Sequence, residues 1–185
     1  MSPIDFGQQA YYLQSGDPES ENTPTLAYPG QLGIRFTVTQ PQRGAVGAEE
    51  GRSKRYQLIK TDSSMSVAPY KGAVAWWSDK TQYLVTTSAT NRNRVAGAFQ
   101  NAITPGNFGC IQFGGPASVK RIDTPAAPVA VGSTIIPSSS DGKADNLAVG
   151  TAPTHTVMGQ VAGPPLSQDA ANALVVVDLN VPETT

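Results

Sequence analysis

Few residues in this 185-residue sequence stand at spacings that would support catalysis. The one histidine, His155, lies in "APTHTVM" without a cysteine or glutamate at metal-ligand spacing, so we interpret it as a loop or strand-edge residue. The run Asp141-Gly142-Lys143 is similar to the end of a phosphate-binding loop, but the earlier glycine and the following serine or threonine are missing. No Gly-x-Ser-x-Gly nucleophile elbow occurs.

The carboxylates do not select a catalytic pair. Most of them stand beside Gly, Ser, Ala or Pro, where a turn-forming role is usual. A paired-carboxylate hydrolase stays open on spacing alone, but we expect no enzyme, and no metal or cofactor. The residues concerned are Asp62, Asp79, Asp123, Asp141, Asp145 and Asp169.

Two side chains stand out as candidates for recognition. Trp76 and Trp77 are adjacent, and neighbouring residues of a strand point to opposite faces of the sheet. A role in an interface and a role in the core, with one ring under a loop or the arm, remain equally open for them. The single cysteine, Cys110, excludes an internal disulfide and a multi-cysteine zinc site, and we expect it to pack in a strand as a small apolar residue.

The elements that position these residues are predicted by a repeat. The stretch "VAGAFQNAITPGNFGCIQF" (95–113) fits either a helix or two strands, but its pattern returns in "VMGQVAGPPLSQDAANALVVVDL" (157–179). There Pro164 and Pro165 would interrupt a helix. Gly159 follows Gly97 by 62 residues, so we predict strands in both copies and equivalent backbone positions for the two glycines.

The likeness extends to the strands before and after these stretches. "GAVAWW" (72–77) and "GSTIIP" (132–137) stand at corresponding places, starting at Gly72 and Gly132. In the last strand, alternate residues from Ala173 to Val181 are apolar and share one face. Leu174 and Val176 make its other face apolar as well, which predicts a central or covered strand.

We therefore predict an all-β fold of two related small β-modules, barrel-like or sandwich-like, with an extended N-terminal arm. The predicted parts are an arm (1–30), a β-hairpin with a long polar loop (31–71), and a β-domain of two repeat-like units (72–185, with units 72–120 and 130–181). No helix is predicted with certainty, although short ones at 98–103 or 167–173 stay open.

Charge and hydropathy exclude several classes of protein. The formal net charge of −1 argues against direct nucleic-acid binding, which depends on accumulated Lys and Arg. No apolar run reaches the roughly 20 residues of a membrane helix, and no signal peptide is recognised, so we expect the protein to stay in the compartment where it is made. The first 34 residues carry only acidic charges, and residues 35–60 are mainly basic. These segments are either solvated loops or surfaces that meet complementary charge on another subunit or on a host surface.

The repeated pattern of "VAGAFQNAITPGNFGCIQFGG" and "PVAVGSTIIPSSSDGKADNLAVGTAPTHTVMGQVAGPPLSQDAANALVVVDL" resembles the small β-rich head proteins of tailed bacteriophages, the capsid decoration or cement proteins. The resemblance covers roughly residues 72–181. It implies a non-enzymatic virion protein, made in the bacterial cytoplasm, that binds the outer face of the major capsid protein shell and reinforces it, with self-association into a dimer or trimer.

In that role the arm would supply apolar anchors and the basic loop a charged rim. The expected interface residues are Ile4, Phe6, Tyr11, Tyr12, Leu13, Arg43, Arg52, Arg55, Trp76 and Trp77. A phage tail or baseplate β-module would show the same composition. A carbohydrate-binding module would instead use Trp76, Trp77 or Tyr83 as an exposed platform.

Overall fold

The chain is almost entirely β-structure, as its alternating apolar residues and frequent Gly and Pro predict. The computed structural model describes residues 17–25, 31–39, 53–122, 130–148, 150–163 and 174–182. Within these residues the only helical element is a 3₁₀ turn at Ala89–Asn91. The described strands are β1 Arg35–Thr39, β2 Ser53–Thr61, β3 Val74–Asp79, β4 Leu84–Thr86, β5 Val95–Phe99, β6 Phe108–Lys120, β7 Thr134–Pro137, β8 Ala144–Asn146, β9 Gly159–Val161 and β10 Leu174–Asn180.

Five strands close on themselves in the order β2, β4, β3, β5 and β6, and we call this unit barrel 1. β2 pairs with β6 in antiparallel and with β4 in parallel orientation. Burying one large apolar side chain contributes about 1.5–3 kcal/mol, so the interior of barrel 1 is a main source of stability. That interior consists of Ile59, Ala73, Ala75, Trp77, Val85, Ala96, Phe99, Ile103 and Ile111.

The C-terminal half of β6 continues into a second ring of strands, in the order β6, β10, β9, β7 and β8, which we call barrel 2. β8 returns to the end of β6 through one parallel bridge, between Ala144 and Arg121. Barrel 2 therefore has the same strand order as barrel 1, including the parallel contact.

The start of β3 fills the rest of the gap between β6 and β8. The carbonyl of Gly72 accepts a hydrogen bond from the amide of Lys120 at 2.8 Å, and the amide of Val74 donates to the carbonyl of Gly142 at 2.9 Å. Barrel 1 thus completes barrel 2, and the two are held together by backbone hydrogen bonds as well as by the shared strand.

Strand β6 can serve both barrels because its partner changes near Gly115. Residues up to Gly114 pair with β2, and residues from Gly114 onward pair with β10. Gly115 has a φ of 79°, and a Cβ there would lie 2.2 Å from the carbonyl oxygen of Ser53. Only glycine fits this position without moving β2.

The repeat predicted from the sequence is confirmed in the strand order and in matching hydrogen bonds. Gly72 and Gly132 have φ values of 86° and 85°. The amide of Gly72 donates to the carbonyl of Phe99, and that of Gly132 to the carbonyl of Val161, both at 2.8 Å. Gly97 and Gly159 lie at the same place in the third strand of their units.

The predictions for the last strand and for the cysteine are also confirmed. β10 lies between β6 and β9, and the side chains from Val175 to Val181 that share its inner face are buried. Cys110 is buried in β6, and burial raises the pKa of its thiol well above the ordinary value. Residues 98–103 are not helical, since β5 runs to Phe99; the stretch 167–173 lies outside the described residues.

Both tryptophans lie in the core, which was one of the two roles left open for them. Trp76 is 0% exposed and packs among the residues of barrel 2, whereas Trp77 is 3% exposed and lies inside barrel 1. Neither ring is accessible for an interface contact or for stacking on a sugar. Because neighbouring residues of a strand point to opposite faces, the two rings lie in different barrels.

The boundary expected between residues 71 and 72 does not separate two structural parts. β1 and β2 do form the expected antiparallel hairpin. However, β2 is also a wall strand of barrel 1, paired with both β4 and β6. The hairpin is therefore part of the first β-unit, a pairing that the spacing of the repeat could not indicate.

Two glycines allow β5 in barrel 1 and β9 in barrel 2 to approach a neighbouring strand, and we expect both to be required. A Cβ at Gly97 would lie 2.4 Å from the carbonyl oxygen of Gln112, and one at Gly159 would lie 2.1 Å from that of Asp178. Gly97→Ala and Gly159→Ala should each lower the free energy of unfolding by about 1–3 kcal/mol or more, because a strand has to shift. The measurement is urea unfolding of the purified variants.

Gly132→Ala is the matched control, since Gly132 has a φ of 85° and no heavy atom within 4 Å of the added Cβ. In this variant the free energy of unfolding should fall only by the cost of holding alanine in a left-handed conformation, about 1–2 kcal/mol. If Gly159→Ala were as stable as the wild type, the close approach of β9 to β10 would be contradicted.

Candidate functional site

The N-terminal segment 17–25 lies on the outside of barrel 1 and is fixed there at two points. The carboxylate of Glu19 accepts hydrogen bonds from Lys54 Nζ at 2.9 Å and from the hydroxyl of Tyr56 at 2.5 Å. Further along, Thr23 and Phe108 exchange backbone hydrogen bonds of 3.0 and 2.7 Å. The segment is thus joined to β2 and to β6.

The contact of Glu19 is partly buried and joins its carboxylate to an ammonium group and a hydroxyl group. The side chain of Lys54 is only 4% exposed, and its ammonium group forms an ion pair with the carboxylate of Glu19. Burial alone would raise the pKa of Glu19, but the hydrogen bonds from Tyr56 and Lys54 outweigh it, and the net pKa lies below the ordinary value. Burial and the bond to Glu19 raise the pKa of Tyr56, which stays a neutral donor.

Because of this contact, the extended arm is shorter than the predicted range of residues 1–30. Residues 1–30 were expected to behave as one extended arm, yet residues 17–23 are part of the packed structure. Part of the acidic charge of this arm is balanced by the basic strand β2 of the same chain, through Glu19 and Lys54. The expected anchors Ile4, Phe6, Tyr11, Tyr12 and Leu13 lie outside the described residues, as do Arg43 and Arg52.

Arg55 is the one predicted interface residue that the structure places on an exposed surface. Its guanidinium lies 5.1 Å from the centre of the Phe113 ring, and the guanidinium of Arg35 lies 4.9 Å from the same ring. Nη2 of Arg55 donates to Oδ1 of Asn180 at 3.2 Å. A Cβ at Gly114 would lie 2.1 Å from Nε of Arg55, so the side chain rests directly on the backbone of β6.

The surface beside Arg55 is a shallow groove of about 810 Å³ along β9 and β10, which we call the Arg55 groove. Its lining is of mixed polarity and carries a positive and a negative side chain, Arg55 and Asp178. Its described lining residues include no histidine and no cysteine. The residues that line it are Arg55, Gly115, Thr156, Val157, Gly159, Gln160, Asp178, Leu179, Asn180 and Pro182.

Two of the singled-out carboxylates, Asp62 and Asp79, have local structural roles. Asp62 accepts hydrogen bonds from the amide and hydroxyl of Ser64, which lower its pKa. The pKa of Asp79 is lowered in the same way, chiefly by the hydroxyl of Thr81. These are the turn-forming contacts that the sequence predicted. Asp123 and Asp169 lie outside the described residues.

Asp141 has a role that sequence reasoning missed, since it joins the two barrels. Its carboxylate accepts the amide of Ala89 at 2.8 Å and the hydroxyl of Ser66 at 2.9 Å. The amide of Gly142 donates to the carbonyl of Thr87 at 2.8 Å. The turn between β7 and β8 is thereby fixed onto barrel 1, a contact between residues far apart in sequence that no local motif reveals.

The remaining polar residues give no sign of a metal centre. Nδ1 of His155 lies 2.7 Å from Oδ1 of Asn93, which links two loops. Among the described residues no three His, Cys, Asp or Glu side chains come close enough together to hold a metal ion. In the same part of the chain, no helix has the length and apolar character needed to cross a bilayer.

No family model, curated protein or solved structure matches this chain.

The Glu19 contact predicts how stability depends on pH. A carboxylate whose pKa is lower in the folded than in the unfolded chain stabilises the fold above its ordinary value of 4.5, and this contribution is lost as the pH falls through the lower, folded pKa. Glu19→Gln should lower the free energy of unfolding by about 1–3 kcal/mol at pH 7 and by much less at pH 3. Urea unfolding at both pH values measures this.

A double-mutant cycle with Lys54→Met is the control, because removing both charges leaves no buried ion without its partner. The double variant should lose less stability than the two single variants added together. Equal losses for Glu19→Gln at pH 7 and pH 3 would contradict the role of the carboxylate.

Proposed function

We propose that this chain is a structural virion protein that binds the outer surface of an assembled bacteriophage capsid and reinforces it by bridging neighbouring major capsid protein subunits. The observation that carries the proposal is the anchored N-terminal segment. Because Glu19 is bonded to Lys54 and Tyr56, the preceding part of the chain starts from a fixed point on barrel 1. Sixteen residues can span at most about 55 Å, enough to reach a neighbouring subunit.

The physical benefit of such an arrangement comes from binding at two places. If the barrels bind one subunit and the N-terminal residues bind the next, the second contact forms at high effective concentration, but only on the assembled shell. A protein that binds the assembled state alone stabilises it by mass action. Phe6, Tyr11 and Tyr12 are the expected anchors in this segment.

The barrels themselves support a structural role. Their interiors are filled by apolar side chains, and the large groove beside Arg55 is shallow and lined by residues of mixed polarity. Asp62, Asp79 and Asp141 are engaged in turns or in joining the barrels. These features favour binding over catalysis.

A phage tail or baseplate module is the alternative function that the same architecture would suit. Locating the protein on heads or on tails distinguishes the capsid role from the tail role. No observation favours a carbohydrate-binding module. Trp76 and Trp77 are buried, and the ring of Tyr83 packs at 6.4 Å against Trp77 and lies over Gly33.

The proposal predicts that the N-terminal residues reinforce the particle. Phage heads lacking the protein are incubated with full-length chain, with a chain that begins at residue 17, or with buffer, and the temperature at which they release DNA is measured. Full-length protein should raise the release temperature, and the shortened chain should raise it less, because it lacks the bridging contact. Co-sedimentation with assembled heads, but not with free capsid subunits, should accompany the effect.

Beginning at residue 17 keeps Glu19 and Thr23, so the melting temperature of the isolated shortened chain should match that of the full-length protein. A chain that begins at residue 25 loses both contacts and should melt lower. Equal DNA-release temperatures for full-length and shortened chains would exclude a bridging role for the first sixteen residues. Equal temperatures for all three samples would exclude reinforcement altogether.

A further inference from the structure

Residues 17–23 lie against the start of strand β6, and we call this segment the strap. Thr23 and Phe108 form an antiparallel bridge with two backbone hydrogen bonds. The other edge of β6 is taken at this position by β2, since Phe108 is paired with Lys60. The strap therefore lies on the same edge as β5, which pairs with β6 further along, at residues 111–112.

From this edge the strap runs past Cys110. A Cβ at Gly109 would lie 2.8 Å from the carbonyl oxygen of Glu21, so the backbone of the strap rests directly on β6. Burial, and then the charges of Glu21 and Asp17, raise the pKa of the Cys110 thiol, which places both strap carboxylates near it. Because Cys110 is 2% exposed, the reactivity of its thiol reports on what covers this part of β6.

The contacts that hold the strap are polar. Oδ1 of Asn22 accepts hydrogen bonds from the amide of Thr104 at 3.1 Å and from Nδ2 of Asn107 at 2.9 Å. Nδ2 of Asn101 donates to the carbonyl of Glu21 at 3.1 Å. Within the described residues, no side chain of the strap belongs to an apolar cluster. The strap thus lacks the apolar burial that stabilises the strands of the barrels.

Barrel 1 is closed without the strap. β2 pairs with β6 along most of its length, and β5 pairs with both β3 and β6. A segment outside such a ring that buries few apolar side chains has a low local stability. Its loss breaks polar contacts on the outer surface and leaves the pairing of the ring intact.

We propose that the strap is releasable: residues 17–23 detach from barrel 1 together while both barrels stay closed, and the carboxylate of Glu19 controls the release. Detachment frees the residues before the strap as well. It also leaves the backbone N–H and C=O groups of Phe108 at an open strand edge, where an extended segment could bind. The inference concerns the chain itself and does not depend on capsid binding.

Acid favours release. Lys54 and Tyr56 on β2 and Lys71 before β3 act on the carboxylate of Glu19, and Asp17 of the strap acts on Tyr56. Burial alone would raise the pKa of Glu19, but the hydrogen bonds from Tyr56 and Lys54 keep it below the ordinary value of 4.5. The attached strap is therefore stabilised above pH 4.5, and this contribution is lost as the pH falls through the lower pKa.

The rate at which dithiodipyridine modifies Cys110 in the folded, full-length chain tests the release. Glu19→Gln should raise this rate at least about tenfold at pH 7, because a hydrogen-bonded charge is lost. The ratio of the variant rate to the wild-type rate should decrease below pH 4.5, since the wild-type carboxylate then becomes neutral too. A ratio of one at pH 7, or a ratio that does not change with pH, overturns the control by Glu19.

Gly159→Ala is the matched control, because it strains β9 in barrel 2 and leaves the contacts of the strap in place. If the strap detaches alone, this variant modifies at the wild-type rate. Equal acceleration by the two substitutions would show that the thiol is reached only when the barrels unfold, and the proposal would be wrong.

Hydrogen exchange of the wild type tests the strap without a substitution. The amides of Thr23 and Phe108 are bonded to each other's carbonyls, so they should exchange together. After correction for intrinsic rates, both should exchange at least about a hundredfold faster than the amide of Phe99, which is bonded to Ala73 inside barrel 1. Equal protection of all three amides overturns the proposal.

Discussion

Strand β6 takes its hydrogen-bonding partners from two barrels, and the exchange of partner depends on Gly115, where β2 approaches too closely for a side chain. The described strands C-terminal to this point, β7 to β10, repeat the strand order of barrel 1 around the second half of the same strand. Because no linker separates the barrels, they have no hinge of the usual kind. The hydrogen bonds of Gly72, Val74 and Gly142 and the buried ring of Trp76 hold them further in place.

The filled interiors limit where another molecule can contact the barrels. Each barrel fills its interior with side chains, as small closed barrels do, so the interior is not a binding cavity. The available surfaces are the outer faces of the sheets, the loops, and the N-terminal segment held by Glu19. The relative positions of the outer faces of the two barrels are fixed by the shared strand.

The structure was best predicted from the spacing of glycines and from alternating apolar residues, because each of these patterns has one physical explanation. The spacing of Gly72, Gly97, Gly132 and Gly159 predicted two related units, because the same tight turn and the same close approach of strands recur. The buried face of β10 followed from alternation alone. Cys110 was predicted to be a core residue because no partner cysteine exists.

What could not be predicted depends on contacts between distant parts of the chain. Membership of β2 in barrel 1 requires its register with β6, which the hydrophobic pattern of one strand does not contain. The contact of Glu19 with Lys54 and the stacking of Arg35 on Phe113 join residues far apart in sequence. Arg55 was selected as a charged residue of a basic segment, and only the fold shows that it lines a groove.

The equivalence of the barrels also explains why the chain needs an N-terminal hairpin. Tyr83 in barrel 1 and Gly142 in barrel 2 are equivalent residues in a left-handed conformation, with φ values of 51° and 66°. Tyr83 precedes β4, the second strand of the β3–β4 hairpin, and Gly142 precedes β8, the second strand of the β7–β8 hairpin. In barrel 2 this turn is covered by barrel 1, through Thr87 and Val74. In barrel 1 the ring of Tyr83 is covered by Gly33, just before β1.

Gly33 thus lies against the Tyr83 turn of barrel 1, as Thr87 and Val74 lie against the Gly142 turn of barrel 2. A stacked pair of repeats has two ends, and each end exposes a surface that an internal contact would bury. Residues 31–34 close the first end. The second end is the outer face of β7 and β9 in barrel 2. There Thr134 and Gln160 stand where barrel 1 has Val74 and Ala98, so this pair of positions is polar. Ile136 and Val157 are apolar residues on the same face. Barrel 1 has apolar residues at these positions because barrel 2 packs on them, whereas the face of barrel 2 carries polar residues that water can solvate.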